Sequence, residues 1–368
     1  MPDTSPLIVK ARLADADGYA EWERLASELR PQPSMYPGYF AAWCDSRDPV
    51  ATTELITARR DGVLEAILPV ISSRRALSGV IDADEVGMLA KGPGAADAIA
   101  QYLFAERGAS LRLLPVSSAG ATWPAVQRRA RQTGAKTRWR EIEQRPIIRI
   151  DTDWESYWSA RSRKLRQDIR RRRRRAGEQG ELRTQIIRKP ADVPAALEEA
   201  LRVEAAGWKG QGGTAINENP ADREYYRRLA AWAAERDWLR LALLKLDDAT
   251  IAMQFGLQAD GVLYSLKLGF DEEYSSLSPG KLLLAAEIER SFSEGLRLFD
   301  FAGQAASYKN SWATEFATYG ELIATPPGLF GRAEWTTVQL KDWARPRAKQ
   351  ARAWLRRGVA GRRGGSGS

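Results

Sequence analysis

The sequence predicts an α/β fold, or more strictly α+β, made of two similar units in tandem. Each unit is expected to hold a mixed, mostly antiparallel sheet flanked by helices. The 368 residues are 44% hydrophobic and 28% charged, which is typical of a folded protein with room for two cores. Apolar runs of strand length alternate with amphipathic helical patterns in both halves, and each half contains a hairpin signature.

The first unit is predicted to span residues 1–150. An amphipathic helix is indicated by Tyr19, Trp22, Leu25 and Leu29, which recur at helical spacing. Asp61-Gly62 separates two apolar runs and predicts a hairpin, because this dipeptide readily adopts the positive φ angles of a tight turn. The other predicted elements are strands at 6–13, 51–58, 110–114 and 142–150 and helices at 95–107 and 121–133.

The second unit is predicted to span residues 151–328, and a basic tail follows at 329–368. A second hairpin is expected at Asp247-Asp248, so the two halves look like diverged copies of one unit. The predicted elements are, in order, strand Leu182–Arg188, helices 191–208 and 219–236, strands 238–246, 249–258 and 261–269, helix 278–294, strand 297–302, a short helix near 306–313 and strand 315–324.

The composition excludes several kinds of chemistry. The chain has no histidine and one cysteine, Cys44, so Ser-His and Cys-His nucleophile pairs and histidine or thiolate metal sites are ruled out. We therefore expect no metal. General acid–base catalysis would have to come from Asp, Glu, Tyr, Lys or bound water.

The net charge of +9 points to an anionic partner, which could be nucleic acid, a membrane surface or a phosphorylated ligand. Much of the positive charge lies in two blocks, Arg161–Arg175 and Arg345–Arg363. We see no apolar run of bilayer-spanning length and no secretory signal, so a cytoplasmic location is expected.

The sequence Ser278-Pro279-Gly280-Lys281-Leu282 lies between an apolar strand and an amphipathic helix. Serine is a good N-cap and proline suits the first helical turn. Glycine lets a ligand approach the backbone, and the free N–H groups of a helix start favour a phosphate. The alternative is a plain capping motif without a ligand.

Ionisable side chains occur in two further stretches. Asp300 follows a predicted strand and precedes Tyr308-Lys309, with Trp312 one turn later. Glu204 ends a helix before the glycine-rich loop 207–213, and a carboxylate near a closing apolar loop is a candidate base. The alternatives are that Tyr308 and Trp312, four residues apart, only pack a helix, and that Glu204 is an exposed helical side chain.

These motifs and the order of elements resemble the GNAT superfamily of acyltransferases. More specifically, the chain resembles the CelD-like group associated with cellulose and exopolysaccharide production, whose fold is related to FemAB-type peptidyltransferases. The resemblance covers most of the chain. It is strongest at Arg161–Arg175, Glu204–Thr214, Leu268–Leu284 and Leu298–Trp312.

The resemblance implies an enzyme that binds acetyl-CoA or another acyl-CoA. In such enzymes the acceptor attacks the thioester directly. Ser278-Pro279-Gly280-Lys281-Leu282 would bind the pyrophosphate, and backbone N–H groups from Ser265 to Leu268 would orient the thioester carbonyl. Tyr308 would protonate the departing thiolate, and Glu204 or Asp300 would take the acceptor proton.

The resemblance also implies substrate contacts outside the donor site. Trp208 and Lys209 would lie over the acceptor side, and Lys309 matches a FemAB-type lysine near ligand phosphate. The acceptor, an amine or hydroxyl of a small molecule or polysaccharide precursor, is not specified by the sequence.

The basic block Arg161–Arg175 is expected to form a helix, because Leu165 and Ile169, four residues apart, give it a narrow apolar side. The basic segments leave alternatives open. Arg163, Arg166 and Arg170 could border the cleft and bind a CoA phosphate or an anionic acceptor. They could instead contact tRNA in a FemAB-like aminoacyl-tRNA-dependent transferase, or nucleic acid in a non-catalytic protein. The tail carries Trp335, Trp343 and Trp354 among arginines, which favours either peripheral binding to an anionic inner membrane or a terminal helix packed on one unit.

Overall fold

The computed structural model describes residues 7–13, 15–47, 52–73, 76–79, 84–207 and 219–341. A single sheet of 13 strands runs through both halves of the chain, with helices on its faces. The strands are β1 (Ile8–Leu13), β2 (Thr52–Arg60), β3 (Val63–Ser73), β4 (Ala76–Ser78), β5 (Leu89–Ala90), β6 (Ser110–Ser117), β7 (Lys136–Arg149), β8 (Leu182–Ile187), β9 (Leu239–Leu246), β10 (Ala249–Ala259), β11 (Val262–Phe270), β12 (Leu298–Asp300) and β13 (Glu315–Thr325).

The helices follow the predicted pattern with two additions. Helices Pro37–Asp45 and Trp154–Ala160 were not predicted, because each is short and has little helical periodicity of its own. The other α-helices are Ala16–Leu29, Pro93–Tyr102, Thr122–Thr133, Arg163–Gly177, Val193–Ala205, Pro220–Glu235, Pro279–Ser293 and Ser307–Asn310, and residues 329–341 are also helical. None of the described helices is both long and apolar enough to cross a membrane.

The two halves of the sheet have equivalent strand orders when each is followed from its outer edge to the centre. The order is β1-β2-β3-β4-β6-β13 in one direction and β8-β9-β10-β11-β12-β7 in the other. In each half the fourth and fifth strands from the outer edge, β4 with β6 and β11 with β12, pair in parallel. The predicted fold class is confirmed, and this symmetry supports the prediction that the halves are copies of one unit.

The last strand of each half is exchanged with the other half. β13, from the second half, lies between β6 and β7 and pairs antiparallel with both. β7, from the first half, pairs with β12 of the second. The two predicted sheets are therefore joined at their edges, and the backbone hydrogen bonds of each half depend on a strand from the other.

Both predicted hairpins are confirmed. β2 and β3 turn at Asp61 and Gly62, with φ of 48° and 81°, and β9 and β10 turn at Asp247, with φ of 52°. Aspartate tolerates this left-handed conformation better than most residues. The predicted strand 142–150 is longer than expected, since β7 begins at Lys136, whereas the predicted strand 297–302 shortens to Leu298–Asp300.

Candidate active site

An open cleft of ≈ 1090 Å³ lies beside the second half of the sheet. One wall is the helix Arg163–Gly177, here called the arginine helix. The other is formed by the start of helix Pro279–Ser293, here called the cleft helix, and by the short helix Ser307–Asn310. The cleft therefore unites three of the stretches singled out in the sequence. Its lining includes Arg163, Lys164, Arg172, Lys281, Tyr308 and Trp312.

The start of the cleft helix differs in detail from the prediction. Ser278 occupies the N-cap position with a φ of 52°, but its hydroxyl does not cap the helix, which corrects that expectation. The hydroxyl instead accepts a hydrogen bond from Nη1 of Arg172. The Ser278 carbonyl accepts the Lys281 N–H at 3.0 Å. The turn is thus tied to the arginine helix, and proline at position 279 suits the first helical turn as predicted.

Gly280 and Leu282 face the protein interior. A Cβ at Gly280 would lie 3.2 Å from Cδ1 of Phe270 and 3.9 Å from Cδ2 of Leu268, so the missing side chain makes room for β11. Side chains of β11 therefore fill the space beside Gly280, where the prediction was that a ligand approaches the backbone. Leu282 is 3% exposed and packs in the core beneath the helix.

Asp168 holds the cations of the cleft in place. Its carboxylate accepts hydrogen bonds from Arg171 at 2.8 Å and Arg172 at 2.9 Å and lies 3.4 Å from Nζ of Lys281. Burial alone would raise the pKa of Asp168, but these hydrogen bonds and the Arg172 and Lys281 charges lower it to about 2. The carboxylate therefore stays ionised and orders positive charge around the helix start.

β11 has an open edge next to the cleft helix. Its parallel pairing with β12 ends at Tyr264 and Asp300, where β12 ends. Among the described strands none lies beside the remainder of β11 on that side. The pairing with β10 is irregular between Phe255 and Gly256, which leaves Leu266 as an extra residue in β11. The predicted contact region Ser265–Leu268 is this bulged segment, with Ser265 buried and Leu268 half-buried.

Tyr308 and Trp312 both line the cleft but differ in exposure. Tyr308 is 40% exposed, and burial of the remainder raises the pKa of its hydroxyl. Trp312 is 2% exposed and stacks on Trp158 with 5.5 Å between ring centroids. Packing is therefore the structural role of Trp312, whereas the Tyr308 side chain is accessible from the cleft.

Lys309 and Asp300 lie behind Tyr308, where the two halves of the chain meet. Nζ of Lys309 donates to the carbonyls of Phe301 at 3.1 Å and Ala302 at 2.5 Å. Asp300 is 4% exposed and accepts the Ala302 N–H at 2.8 Å. Burial raises the pKa of Asp300 and lowers that of Lys309. Lys309 thus contacts backbone carbonyls of a turn and is outside the cleft lining.

Glu204 is 1% exposed, so the alternative of an exposed helical side chain is wrong. A Cβ at Gly269 of β11 would lie 3.1 Å from Cγ of Glu204, so the carboxylate side chain packs directly on the bulged strand. Trp208 and Lys209 lie outside the described residues.

Two of the three selected arginines lie away from the cleft. Arg163 lines it, but Arg166 donates from Nε to the carbonyl of Arg161 at 3.2 Å, and Arg170 is exposed. Of the tail, the described part is the helix at 329–341, where Glu334 accepts a hydrogen bond from Ser110 of β6. This part packs on the first half, and Trp343 and Trp354 lie outside the described residues.

Sequence reasoning missed a group of charged side chains where the halves meet. Asp84, Glu143 and Arg145 come from the first half and lie near Asp300 and Lys309 of the second, and each affects the pKa of Asp300 or Lys309 electrostatically. The alternation of Glu143 and Arg145 along β7 was the one available signal, since residues two apart share a face of a strand. The strand exchange that brings β7 beside β12 leaves no local pattern in the sequence.

Residues 163–310 match the family described as an acetyltransferase (GNAT) domain, and no curated protein matches the sequence. Three solved structures share the fold. They are L-PGS from Bacillus licheniformis (12% identity, 89% of this chain and 98% of that one, TM-score 0.57), FemX (12%, 85% and 96%, 0.56) and the C-terminal domain of an Agrobacterium fabrum protein described as a lysylphosphatidylglycerol synthetase (12%, 88% and 97%, 0.55). The domain match indicates a transferase. At this identity the structures indicate the fold alone.

Proposed function

We propose that the protein is an acyltransferase that moves an acyl group from a CoA thioester to an amine or hydroxyl acceptor. The observation that carries this proposal is the joining of a helix start, a set of ordered cations and an accessible tyrosine in one cleft of ≈ 1090 Å³. That volume is sufficient for a ligand of nucleotide-cofactor size. The donor site belongs to residues 151–328, and residues 1–150 supply the facing wall of the acceptor side.

The phosphates of CoA fit the charges of the cleft. Arg163, Lys164, Arg171, Arg172 and Lys281 line it, against one carboxylate, Asp168. Arg172 and Lys281 flank the first turn of the cleft helix, where the helix dipole also favours an anion. The pyrophosphate would bind there, and Arg163 and Lys164 at the other end of the lining would contact the 3′-phosphate.

The thioester would lie along the open edge of β11. Among the described strands none lies beside the bulged segment Ser265–Leu268 on this side, so its backbone groups can bind the pantetheine arm and the carbonyl oxygen. The acceptor attacks the carbonyl carbon, the C–S bond breaks, and Tyr308 gives its proton to the thiolate. Glu204, packed on β11, and Asp300, at the end of β12, are the candidate bases from the second half.

Calorimetric titration with CoA tests the donor assignment. Arg172→Ala removes a charge-assisted contact of about 1.5–3 kcal/mol, so we expect about 10- to 100-fold weaker CoA binding. Arg170→Ala is the matched control, since Arg170 belongs to the same helix, is exposed and is outside the lining, and less than about threefold weakening is expected. Absence of binding heat with the wild type, or equal losses in both variants, would contradict the proposal.

An aminoacyl-tRNA-dependent reaction of the FemAB type is the second candidate. It is supported by Arg173 and Arg174, which pair with Glu289 and Glu178 but stay 53% and 77% exposed on the arginine helix, outside the cleft lining. The fold shared with FemX is compatible with it. Titration with aminoacyl-tRNA beside CoA distinguishes the two, because tRNA binding would respond to Arg173→Ala and Arg174→Ala and CoA binding would not.

The CelD-like resemblance supports a polysaccharide or envelope precursor as the acceptor. Such a role suits a cytoplasmic protein that binds the inner membrane peripherally through its basic tail. Sedimentation with vesicles containing anionic lipid tests the binding to the membrane, and unchanged vesicle binding after removal of residues 342–368 would contradict the role of the tail.

A further inference from the structure

Five charged side chains form a cluster at the boundary between the two halves, here called the seam cluster. Its members are Asp84, Glu143, Arg145, Asp300 and Lys309, and Glu85 borders them, so carboxylates outnumber the two cations. Both cations are engaged within the protein. Arg145 lies 2.5 Å from Glu143 and 3.9 Å from the centre of the Tyr319 ring, and Lys309 donates to the Phe301 and Ala302 carbonyls.

The three carboxylates differ in availability. Asp300 is 4% exposed and is held by the Ala302 N–H. Glu143 is held by Arg145. Asp84 keeps 18% of its side chain exposed, and its contact with Arg145 is 3.9 Å long, beyond hydrogen-bond distance. Within the described part of the chain no hydrogen bond to the Asp84 carboxylate is found, whereas Asp300 and Glu143 each accept one.

The position of the cluster relates it to the cleft. β11 and β12 separate after the pair Tyr264–Asp300, and Asp84 interacts electrostatically with both of these residues. Tyr308 lines the cleft, while its neighbour Lys309 faces the cluster. A thioester bound along the open edge of β11, where β11 and β12 separate, would therefore place its carbonyl beside the seam cluster.

We propose that Asp84, from the first half of the chain, takes the acceptor proton, and that the acceptor is an amine. This proposal rests on the acyl-CoA function proposed above. The excess negative charge attracts the ammonium form, which loses one proton to solvent. The nitrogen then bonds to the carbonyl carbon, the C–S bond breaks, its surplus proton moves to Asp84, and the thiolate takes a proton from Tyr308. Exchange with solvent restores both residues.

The pH dependence follows from the surroundings of Asp84. Burial raises the pKa of Asp84 to about 6. The positive charges of Arg145 on β7 and of Lys309 lower this pKa, and the negative charges of Asp300 on β12 and Glu143 on β7 raise it. Tyr264 of β11 and Glu85 also face this region. A base acts in its ionised form, so the rate should rise with pH through about 6.

Single-turnover thiol release from acetyl-CoA, with enzyme in excess and ethanolamine as the probe acceptor, tests the proposal. We expect ethanolamine to accelerate thiol release and to yield the N-acetyl product. Asp84→Asn should slow this step about a hundredfold and abolish the rise near pH 6. Asp84→Glu, which keeps a carboxylate, should retain the rise and serves as the test if Asp84→Asn does not fold.

Asp97→Asn is the matched control. Asp97 also comes from the first half of the chain, but its carboxylate pairs with Arg128 at the surface, so the variant should keep the wild-type rate. Absence of acetyl-CoA binding to the wild type would overturn the proposed function. Intact acetyl-CoA binding without amine acceleration, O-acetylation of the probe, or a wild-type pH profile in Asp84→Asn would overturn the role of the seam cluster alone.

Discussion

Replacing Tyr308 with phenylalanine separates catalysis from packing at the cleft. The ring is retained, and within the described residues the Tyr308 hydroxyl has no hydrogen-bond partner, so the free energy of unfolding should change by less than about 0.5 kcal/mol. If the hydroxyl protonates the thiolate, its loss should lower turnover about a hundredfold, which corresponds to about 2.7 kcal/mol in the activation free energy. Because burial raises the Tyr308 pKa, the wild type should keep this proton throughout the neutral range.

The assay is thiol release from acetyl-CoA under single-turnover conditions, together with calorimetric CoA affinity and the melting temperature. CoA affinity should stay within about threefold of the wild type, since the hydroxyl acts on the sulfur and not on the phosphates. Tyr274→Phe, outside the cleft lining, is the control and should have no effect. Unchanged turnover of Tyr308→Phe across the pH range would refute the assignment of Tyr308 as the acid.

Two further predictions concern stability. The pKa of Asp168 falls from 3.8 to about 2 on folding, so its ionised form stabilises the protein above about pH 4, and this contribution is lost as pH falls through about 2. Asp168→Asn should therefore lower the free energy of unfolding by about 1 to 2 kcal/mol at pH 7, after allowance for solvent screening, and by less near pH 2. Urea denaturation at both pH values measures this difference, and a difference that does not depend on pH would contradict the prediction. A fragment of residues 151–341 lacks β7 and leaves β13 without either neighbour, so it should show no cooperative unfolding until residues 1–150 are co-expressed, and a fragment that melts cooperatively alone would contradict the strand exchange.

The sequence was sufficient to predict most of the helices and strands and much of the cleft lining. Asp61-Gly62 and Asp247-Asp248 mark real turns, and the similar alternation of strands and helices in both halves agrees with the symmetry of the sheet. Lys281, Tyr308 and Arg163 do meet in one cleft, because local signals identify the helix start and the charged helix. Each of these segments is identified by residues close together in the chain, whereas their meeting in one cleft depends on the fold.

The remainder depends on contacts between distant segments. The orientation of Gly280 towards Phe270 follows from the packing of a helix on β11, and the burial of Glu204 follows from the absence of a side chain at Gly269. Asp84 and Arg145 are brought beside Asp300 by the insertion of β13 and β7 into each other's halves. Hydrophobic periodicity specifies which face of a strand is buried, but it does not specify which strand lies next to it.

The most direct test of the central claim is hydrogen exchange of the full chain with and without saturating acetyl-CoA. We predict slower amide exchange in residues 278–284 and 162–172, the helix start and the arginine helix that line the cleft, and at the open edge of β11, residues 265–270. The helix at 329–341, remote from the cleft lining, should be unchanged. Protection confined to other regions, or none at all in the presence of acetyl-CoA, would contradict the account of a CoA-dependent acyltransferase.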